Sequence, residues 1–505
     1  MPTVLEVEDK YAVPDGFLVP DLSAVRGVAS ISEPETFDLA ATYYDTSDHR
    51  LVRNRLTLRR RTGGKDAGWH LKLPATGGRD EVQRPLGRAR AVPAELVNLV
   101  LGRTRGGALT PVATLLTTRR VVRLLDEDGA TLAELADDDV RAEVLEGGQA
   151  VEQRHWREIE VELVGGDRAL LAAVGKEMHR AGADIAPHGS KIALVLGERV
   201  ATPDLPEVRL SKKPSADDVV RAYLIEHFAA MLAADPRVRL DEPDAVHKMR
   251  VATRRLRSTL GSFRALFDED RARDLDGRLK ELAASLGVAR DAEVQLERLL
   301  ADLEALPPEL VLGPVRQQLE QRLGGERLRG QEAVLETLRG AEYVRLVDDL
   351  IEFVNTEPTA VGRRPARGVL PQLVRGRYRT LAARVETARG AGDADRNVAL
   401  HEARKSGKRM RYAAEVMIPL AGKHAVALAK AVEDLQELLG DHQDTVVARP
   451  LIRDLAVATM TANGESAFTH GLLYARQESV AADAETRLDE VWRRTSRKDL
   501  RAFLR

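Results

Sequence analysis

The hydrophobic periodicity changes near residue 200, and this change constrains the fold more than any other feature of the sequence. Before it, short runs alternate apolar and polar residues between turn signals, as in LTLRRR, WHLKLP, RRVVRLL and REIEVEL. A period of two at such frequent spacing indicates a largely antiparallel β-sheet. After it, long segments such as DDVVRAYLIEHFAAML follow the period of an amphipathic helix. The chain is therefore predicted to be α+β, with a β region followed by an all-α region.

Composition at the boundaries predicts the domains. The stretch ERVATPDLPEVRLSKKPSAD is rich in proline and charge, which favours a linker over residues 201–214. The N-terminal domain, residues 1–200, is predicted to form an antiparallel β-barrel tunnel with flanking helices. The C-terminal domain, residues 215–505, is predicted to be helical, and NTEPTAVGRRPARGVLP divides it into bundles over 215–354 and 370–505.

Charge and cysteine content exclude several classes of function. The net charge is −2, because 77 basic and 79 acidic residues nearly cancel, which argues against a generally basic nucleic-acid-binding surface. The chain has no cysteine, which rules out disulfides, thiolate zinc sites and cysteine nucleophiles. No secretory signal pattern and no apolar run long enough to span a bilayer is evident. We therefore predict a cytoplasmic protein with no membrane partner and no specific nucleic-acid partner.

The helical half contains an internal repeat. HKMRVATRRLRSTLGSF begins at His247 and HEARKSGKRMRYAAEVM begins at His401, and basic residues lie three, seven, eight and ten positions after each histidine. Farther on, LGVARDAEV and LGDHQDTVV correspond, with Asp291 and Asp444 in register. A duplicated unit predicts two packed four-helix bundles related by a pseudo-twofold axis.

Each repeat carries a basic stripe on one face of a helix. At 100° per residue, four residues of each copy fall within an arc of about 80°. The stripes comprise His247, Arg250, Arg254 and Arg257 in the first copy, and His401, Arg404, Lys408 and Arg411 in the second. One such stripe is usually a solvated surface, but its occurrence twice favours a site for a long polyanion. Neither copy has two histidines four residues apart, as a helical zinc site would. Asp291 and Asp444 are predicted to cap or orient helices.

Several strands carry an ionic face. In VLEVEDKY the side chains of Glu6, Glu8 and Lys10 share one face, because successive side chains alternate across a strand. A solvated face with cross-strand ion pairs explains any single strand. The signs are segregated by strand, however, with Glu-x-Glu pairs in some and Arg-x-Arg pairs in others. If these faces line a barrel, the carboxylates suit Mg²⁺ or Mn²⁺ and the basic groups suit phosphate.

The N-terminal region resembles the CYTH superfamily, the triphosphate tunnel metalloenzymes. VLEVEDKY matches the Glu-x-Glu-x-Lys signature of that family. Further matching elements follow in order over about the first 200 residues: TYYDT, LRRR, LKLP, GRDE, TTRR, AELADD, EIEVEL and SKIA. The resemblance implies hydrolysis of inorganic triphosphate or thiamine triphosphate, or cyclisation of ATP.

The same resemblance assigns site residues. The implied ligands of Mg²⁺ or Mn²⁺ are Glu6, Glu8, Glu134, Asp138, Glu160 and Glu162. The implied catalytic basic residues, which hold the phosphates, are Lys10, Arg59, Arg61, Lys72 and Arg119. The further implied substrate contacts are Arg79, Arg123 and Lys191. Asp137 and Asp139 flank Asp138, and Arg120 follows Arg119, so a shift of one residue would exchange these assignments.

The helical region, about residues 215–505, resembles a CHAD domain, the conserved histidine α-helical domain. Such domains frequently follow CYTH domains and are implicated in binding polyphosphate, which implies polyphosphate as the partner of the two basic stripes. The predicted function is a metal-dependent triphosphatase with an attached polyphosphate-binding module, located in the cytoplasm, including polyphosphate granules. Two alternatives stay open, a non-catalytic polyphosphate-binding or targeting protein and an adenylate cyclase.

Overall fold

The computed structural model describes residues 4–75, 77–87, 91–187, 189–463 and 466–505. The chain divides into two compact units, Met1–Asp204 and Leu205–Arg505. The strands, all in the first unit, are β1 (Val4–Glu6), β2 (Glu8–Val13), β3 (Ser30–Ile31), β4 (Glu35–Asp45), β5 (Thr57–Thr62), β6 (Gly68–Ala75), β7 (Gly78–Arg84), β8 (Thr110–Leu125), β9 (Thr131–Glu146), β10 (Gln149–Leu163) and β11 (Asp184–Ile185). Its helices are α1 (Ala94–Leu99), α2 (Leu101–Thr104), α3 (Arg168–Arg180) and α4 (Lys191–Leu196).

The strands form one antiparallel sheet that curls back on itself. Its order is β1-β7-β6-β5-β4-β8-β9-β10-β2-β11, and β3 pairs with β8. Only Val7 separates β1 from β2, so the N-terminal segment pairs with β7 through its first part and with β10 through its second. The two ends of the sheet therefore meet at this segment. Gly147 and Gly148, at φ +58° and +83°, form the tight turn between β9 and β10, since such a turn needs positive φ at both positions.

The two faces of the curled sheet have different packing. On the outer face, Leu135, Ile159 and Val161 pack against α3 in an apolar cluster. On the inner face, Val140 follows Asp138 with the same parity, and helix α4 inserts Ile192 there. Helix α4 thus fills one end of the sheet interior with apolar side chains. The charged positions of β2, β8, β9 and β10 lie along the rest of that interior.

All helices and strands named for the second unit, among its described residues, are helices. Its helices are α5 (Ala216–Arg239), α6 (Ala245–Ser262), α7 (Glu269–Glu304), α8 (Val315–Arg339), α9 (Ala341–Asn355), α10 (Ala366–Gly390), α11 (Asp393–Val416), α12 (Ile418–Ala421), α13 (Lys423–Asn463) and α14 (Phe468–Thr495), and a short 3₁₀ helix spans Asp499–Leu504. The repeat places His247 on α6 and His401 on α11. Helices of both halves contribute to one large hydrophobic core.

The predicted fold class is confirmed, with a curled antiparallel sheet followed by an all-helical region. Residues 201–214 contain neither helix nor strand. Within the described part of the chain, no helix combines the length and apolarity needed to cross a bilayer.

Candidate active site

The inner face of the sheet contains a cavity lined almost entirely by charged side chains, here called the charged cavity. Eleven of its lining residues are among those singled out in the sequence: Glu6, Glu8, Lys10, Arg59, Arg61, Lys72, Arg79, Arg119, Glu160, Glu162 and Lys191. The other lining residues are Tyr43, Thr57, Asp66, Glu81 and Ser190. Strands that are distant in sequence therefore bring the predicted acids and bases together.

Three carboxylates cluster where the N-terminal segment meets β10. Glu8 lies opposite Glu162 in the strand register, and Glu6 is on the same face two residues earlier. Glu6 forms an ion pair with Lys72, and Glu8 forms one with Lys10 at 3.1 Å, whereas Glu162 has no ion pair among the described residues. Burial, together with the nearby Glu6 carboxylate, raises the pKa of Glu162 to about 7. Negative charge is therefore in excess at this point.

A second group of acids is already neutralised by protein cations. Arg119 donates two hydrogen bonds to Asp138, at 2.8 and 2.7 Å, and a third to Glu160 at 2.6 Å. The Lys191 ammonium lies 2.9 Å from Asp138 and 2.8 Å from Glu160, and it also pairs with Glu158. Burial alone would lower the pKa of Lys191, but the surrounding carboxylates outweigh burial and raise it. Lys191 thus occupies the centre of this acidic group.

The residues present fit a divalent cation at the Glu6–Glu8–Glu162 cluster. Carboxylate oxygens are the ligands that Mg²⁺ and Mn²⁺ prefer, and an excess of buried negative charge favours a cation. Among the described residues, Asp138, Glu158 and Glu160 are the one group of three acids whose oxygens all lie within 4.8 Å of one another. Because Lys191 and Arg119 already contact that second group, the first cluster is the better candidate for metal.

Arg59, Arg61 and Arg119 form a cationic wall in the same cavity. Arg59 is half-buried, and among the described residues its Nη1 donates only to the Tyr43 hydroxyl, at 3.4 Å, and it has no ion pair. The Nε atoms of Arg59 and Arg61 are buried without a hydrogen-bond partner. Burial, together with the adjacent Arg59 and Arg119 charges, lowers the pKa of Arg61 to about 9. Unpaired buried donors beside repelling like charges favour a bound anion.

Asp66 is an unanticipated member of this wall. It lies in the turn between β5 and β6 and pairs with Arg61. Its backbone carbonyl oxygen lies 2.9 Å from Nε2 of His70, whose Nδ1 lies 2.9 Å from the Glu81 carboxylate. The only sequence signal for Asp66 is its position in a polar turn. Three other lining residues lie beside elements that the sequence had singled out. Tyr43 is part of TYYDT, Thr57 lies two residues before Arg59, and Ser190 directly precedes Lys191.

The structure shows which of the neighbouring residues Asp137 and Asp138, and which of Arg119 and Arg120, faces the sheet interior. Asp138 is fully buried on the inner side, whereas Asp137 receives two hydrogen bonds from Arg157 on the other face. Arg119 reaches into the charged cavity, whereas Arg120 is exposed. Asp138 and Arg119 are therefore the inward-facing members of their pairs.

Arg123 and Glu134 do not reach the charged cavity. They lie opposite each other in the register, four residues beyond the Arg119–Asp138 pair, which is about 13 Å along the strands. Arg123 donates to Glu134 at 2.9 Å and also pairs with Glu35. The prediction that Arg123 contacts substrate and that Glu134 binds metal within the same cavity is corrected on this ground.

The two basic stripes approach each other in the helical unit, since Arg254 of α6 donates to the Tyr412 hydroxyl of α11 at 2.8 Å. Several of the stripe residues are already paired: Arg250 with Asp291, Arg257 with Asp276, and Arg411 with Glu415 and Glu433. Burial lowers the pKa of both His247 and His401, which favours neutral imidazoles. The uncompensated charge therefore concentrates on Arg254, Arg404 and Lys408.

Asp291 and Asp444 lie inside α7 and α13, so of the two predicted roles, capping or orienting helices, capping is wrong. Asp291 accepts a hydrogen bond from Arg250 at 2.6 Å, and Asp444 lies 4.0 Å from Arg404. They orient the stripe arginines instead. The Lys408 ammonium lacks an ion pair among the described residues, and burial together with the charges of Arg404 and Arg254 lowers its pKa to about 7.

Comparison with known proteins agrees with this arrangement. The CYTH domain model matches residues 5–189, and the CHAD domain model matches residues 222–453. An uncharacterized protein of Mycobacterium tuberculosis is 40% identical over 97% of this chain and 96% of its own length. Two solved structures are more distantly similar. PptA from Streptomyces chartreusis is 20% identical over 55% of this chain and 99% of its own, with a TM-score of 0.47. The CHAD domain from the plant Ricinus communis is 25% identical over 58% of this chain and 95% of its own length, with a TM-score of 0.45.

The CYTH match covers the curled sheet with its charged interior, and the CHAD match covers most of the duplicated helical unit. The chain therefore belongs to the family of proteins that join an N-terminal CYTH domain, the triphosphate tunnel fold, to a C-terminal CHAD domain.

Proposed function

We propose that the charged cavity hydrolyses a triphosphate with the help of Mg²⁺ or Mn²⁺. The observation that carries this proposal is the segregation of charge within one cavity. Glu6, Glu8 and Glu162 gather on one side, and on the other side the buried Nε atoms of Arg59 and Arg61 have no hydrogen-bond partner among the described residues. A phosphate chain bridged to the acids by a divalent cation satisfies both sides.

The protein residues have distinct roles in this proposal. Glu6, Glu8 and Glu162 would hold the cation, which when bound would supply charge neutralisation and Lewis acidity. Arg59, Arg61 and Arg119 would hold the phosphate oxygens and stabilise the charge that develops on the leaving phosphate. The apolar cluster at α4 keeps one end of the interior free of water, which strengthens these electrostatic interactions.

The lining of the cavity favours inorganic triphosphate over larger substrates. Thirteen of its sixteen lining residues are charged, and the other three are Tyr43, Thr57 and Ser190. A nucleobase or thiamine group would need apolar or aromatic walls. We expect kcat/KM for tripolyphosphate to exceed that for ATP and thiamine triphosphate by at least about tenfold. A phosphate-release panel across the three substrates measures this ratio.

Glu6→Ala tests the proposal as a whole. We expect the wild-type protein to release phosphate from tripolyphosphate only with added Mg²⁺ or Mn²⁺, and Glu6→Ala to release far less. No release by the wild type, with identical behaviour of Glu6→Ala, would end the proposal. Cyclic AMP formed from ATP would instead support a cyclase, and tight polyphosphate binding without any turnover would support a non-catalytic binder.

For the helical unit we propose that the two basic stripes bind polyphosphate. Arg254, Arg404 and Lys408 are the cations left without strong carboxylate partners, and a polyanion would compensate them. Within this group Lys408 faces Arg250, Arg254 and Arg404 as well as Asp444.

Polyphosphate affinity should depend on pH through Lys408. The pKa of Lys408 is about 7, so the side chain loses its proton as the pH rises above 7. An anion binds the protonated form better, and affinity should therefore fall between about pH 7 and pH 9. Lys408→Arg should bind with little pH dependence over this range, because arginine stays charged. Binding titrations across pH provide the measurement, and equal pH dependence of both proteins would contradict the assignment.

A further inference from the structure

One face of α10 carries a row of cations. Arg367, Pro371, Arg375, Tyr378 and Arg379 fall within an arc of about 120° at 100° per residue. The C-terminal residues Lys498, Arg501 and Arg505 face them across two adjoining cavities of about 430 and 290 Å³. We call this feature the C-terminal groove.

The C-terminal groove has no acidic lining residue. Six of its lining residues are arginine or lysine, and none is aspartate or glutamate, although the chain as a whole contains slightly more acids than bases. No ion pair forms at Arg367, Arg375, Arg379 or Lys498 within the part of the chain that the structure describes. Several other helix arginines of this unit pair with an acid three or four residues away, as Arg345 does with Glu342.

Fold stability does not account for this row. Arg375 and Arg379 are four residues apart on one helix, where like charges destabilise by a few tenths of a kcal/mol. Arg501 has a structural role, since its guanidinium lies 4.4 Å from the centre of the buried Tyr378 ring. The remaining cations gain nothing comparable from the fold, which favours a role in binding.

The groove is separate from the histidine-containing stripes. Arg377, on the opposite side of α10 from Arg375, donates to the carbonyl oxygen of Gly261 in α6 at 2.8 Å. Two residues correspond to 200° around a helix, so the groove lies on the side of α10 turned away from α6. The stripes, in contrast, lie on α6 and α11.

We propose that the C-terminal groove is a second polyanion site and that it takes a chain of phosphates. From Arg367 to Arg379 the cations extend over about 18 Å of helix, which suits a linear ligand. Single-stranded nucleic acid would need open aromatic faces for its bases, whereas Tyr378 is buried beneath Arg501. The choice of phosphate chain rests on the polyphosphate binding proposed for this unit, whereas the existence of the site does not.

The test compares charge-removing variants in the full chain. The groove variant is Arg367→Gln/Arg375→Gln/Arg379→Gln, and the stripe variant is Arg254→Gln/Arg404→Gln/Lys408→Gln. A control with the same change in net charge, Arg273→Gln/Arg345→Gln/Arg494→Gln, alters exposed arginines that pair with nearby acids. Binding of short inorganic polyphosphate is measured by calorimetry in the presence of chelator, with helix content and thermal unfolding as checks of folding.

We expect the groove variant to bind one equivalent of polyphosphate fewer than wild type. The stripe variant should also bind less polyphosphate, and a variant that combines all six substitutions should lose binding at both sites. The control should match wild type. If the groove variant binds like wild type, the second site does not exist, even if the stripe variant loses binding. If the groove variant loses affinity for single-stranded RNA or anionic vesicles but not for polyphosphate, the proposed ligand is wrong. If polyphosphate binding is lost only in the groove variant, the stripe proposal fails and the groove proposal stands.

Discussion

Replacing Arg59 by methionine is expected to lower kcat/KM for tripolyphosphate by about 10² to 10³-fold without destabilising the fold. The Arg59 guanidinium lies near Arg61 and Arg119, and its only hydrogen-bond acceptor among the described residues is the Tyr43 hydroxyl at 3.4 Å. Removing the guanidinium relieves its repulsion with those two arginines, so the melting temperature should change little. Phosphate release and thermal unfolding together measure the two effects.

Arg157→Met provides the matched control, because it changes an arginine of the opposite sheet face. Arg157 donates two hydrogen bonds of 2.7 Å to Asp137 and another of 2.7 Å to the carbonyl oxygen of Phe17. Its loss leaves partly buried acceptors unpaired, so we expect a destabilisation of about 2 kcal/mol or more with activity largely retained. If Arg59→Met destabilised the fold like Arg157→Met and kept activity, Arg59 would be a structural residue.

The second large effect concerns Glu162. Glu162→Gln should reduce metal-stimulated phosphate release by about 10²-fold. It should also remove the stabilisation that bound metal gives the wild-type fold, which is about 2.7 kcal/mol when the metal concentration is a hundred times Kd. Burial raises the pKa of Glu162 from 4.5 to about 7. The ionised form therefore destabilises the metal-free fold, and this effect grows as the pH rises from 4.5 to 7. Without metal, Glu162→Gln should be more stable than wild type at neutral pH.

Glu143→Gln is the control for this prediction. Glu143 lies on the outer face of β9, where Gln153 donates to it at 3.1 Å. The variant should keep both metal stimulation and the metal-dependent thermal shift. A Glu162→Gln protein that is still stabilised by Mg²⁺ or Mn²⁺ to the wild-type extent would remove Glu162 from the metal site.

Much of the charged cavity could be predicted from the sequence, because strand parity is a local property. The alternation in VLEVEDKY places Glu6, Glu8 and Lys10 on one face, and the structure turns that face inward. Parity does not tell how far along the interior a residue lies. Arg123 and Glu134 share the correct face but pair with each other about 13 Å away, because the register of β8 with β9 is set by long-range pairing.

Other features depend on contacts that no local pattern encodes. Asp66 reaches Arg61 only because the turn between β5 and β6 folds over the cavity. In the helical unit, the repeat predicted two equivalent stripes, but the acids that neutralise part of them come from α7 and α13. The spacing of basic residues therefore predicted where the stripes lie. Which of their cations have an acidic partner depends on how the helices pack, and Lys408 has no ion pair among the described residues.

The central claim is that acids hold metal and arginines hold phosphate within one cavity. Anomalous diffraction from crystals grown with Mn²⁺ and a non-hydrolysable triphosphate analogue tests it most directly. We expect a manganese peak about 2.2 Å from carboxylate oxygens of the Glu6–Glu8–Glu162 cluster, with the phosphates against Arg59 and Arg61. Manganese bound only outside the charged cavity, or phosphates bound away from Arg59, would contradict it.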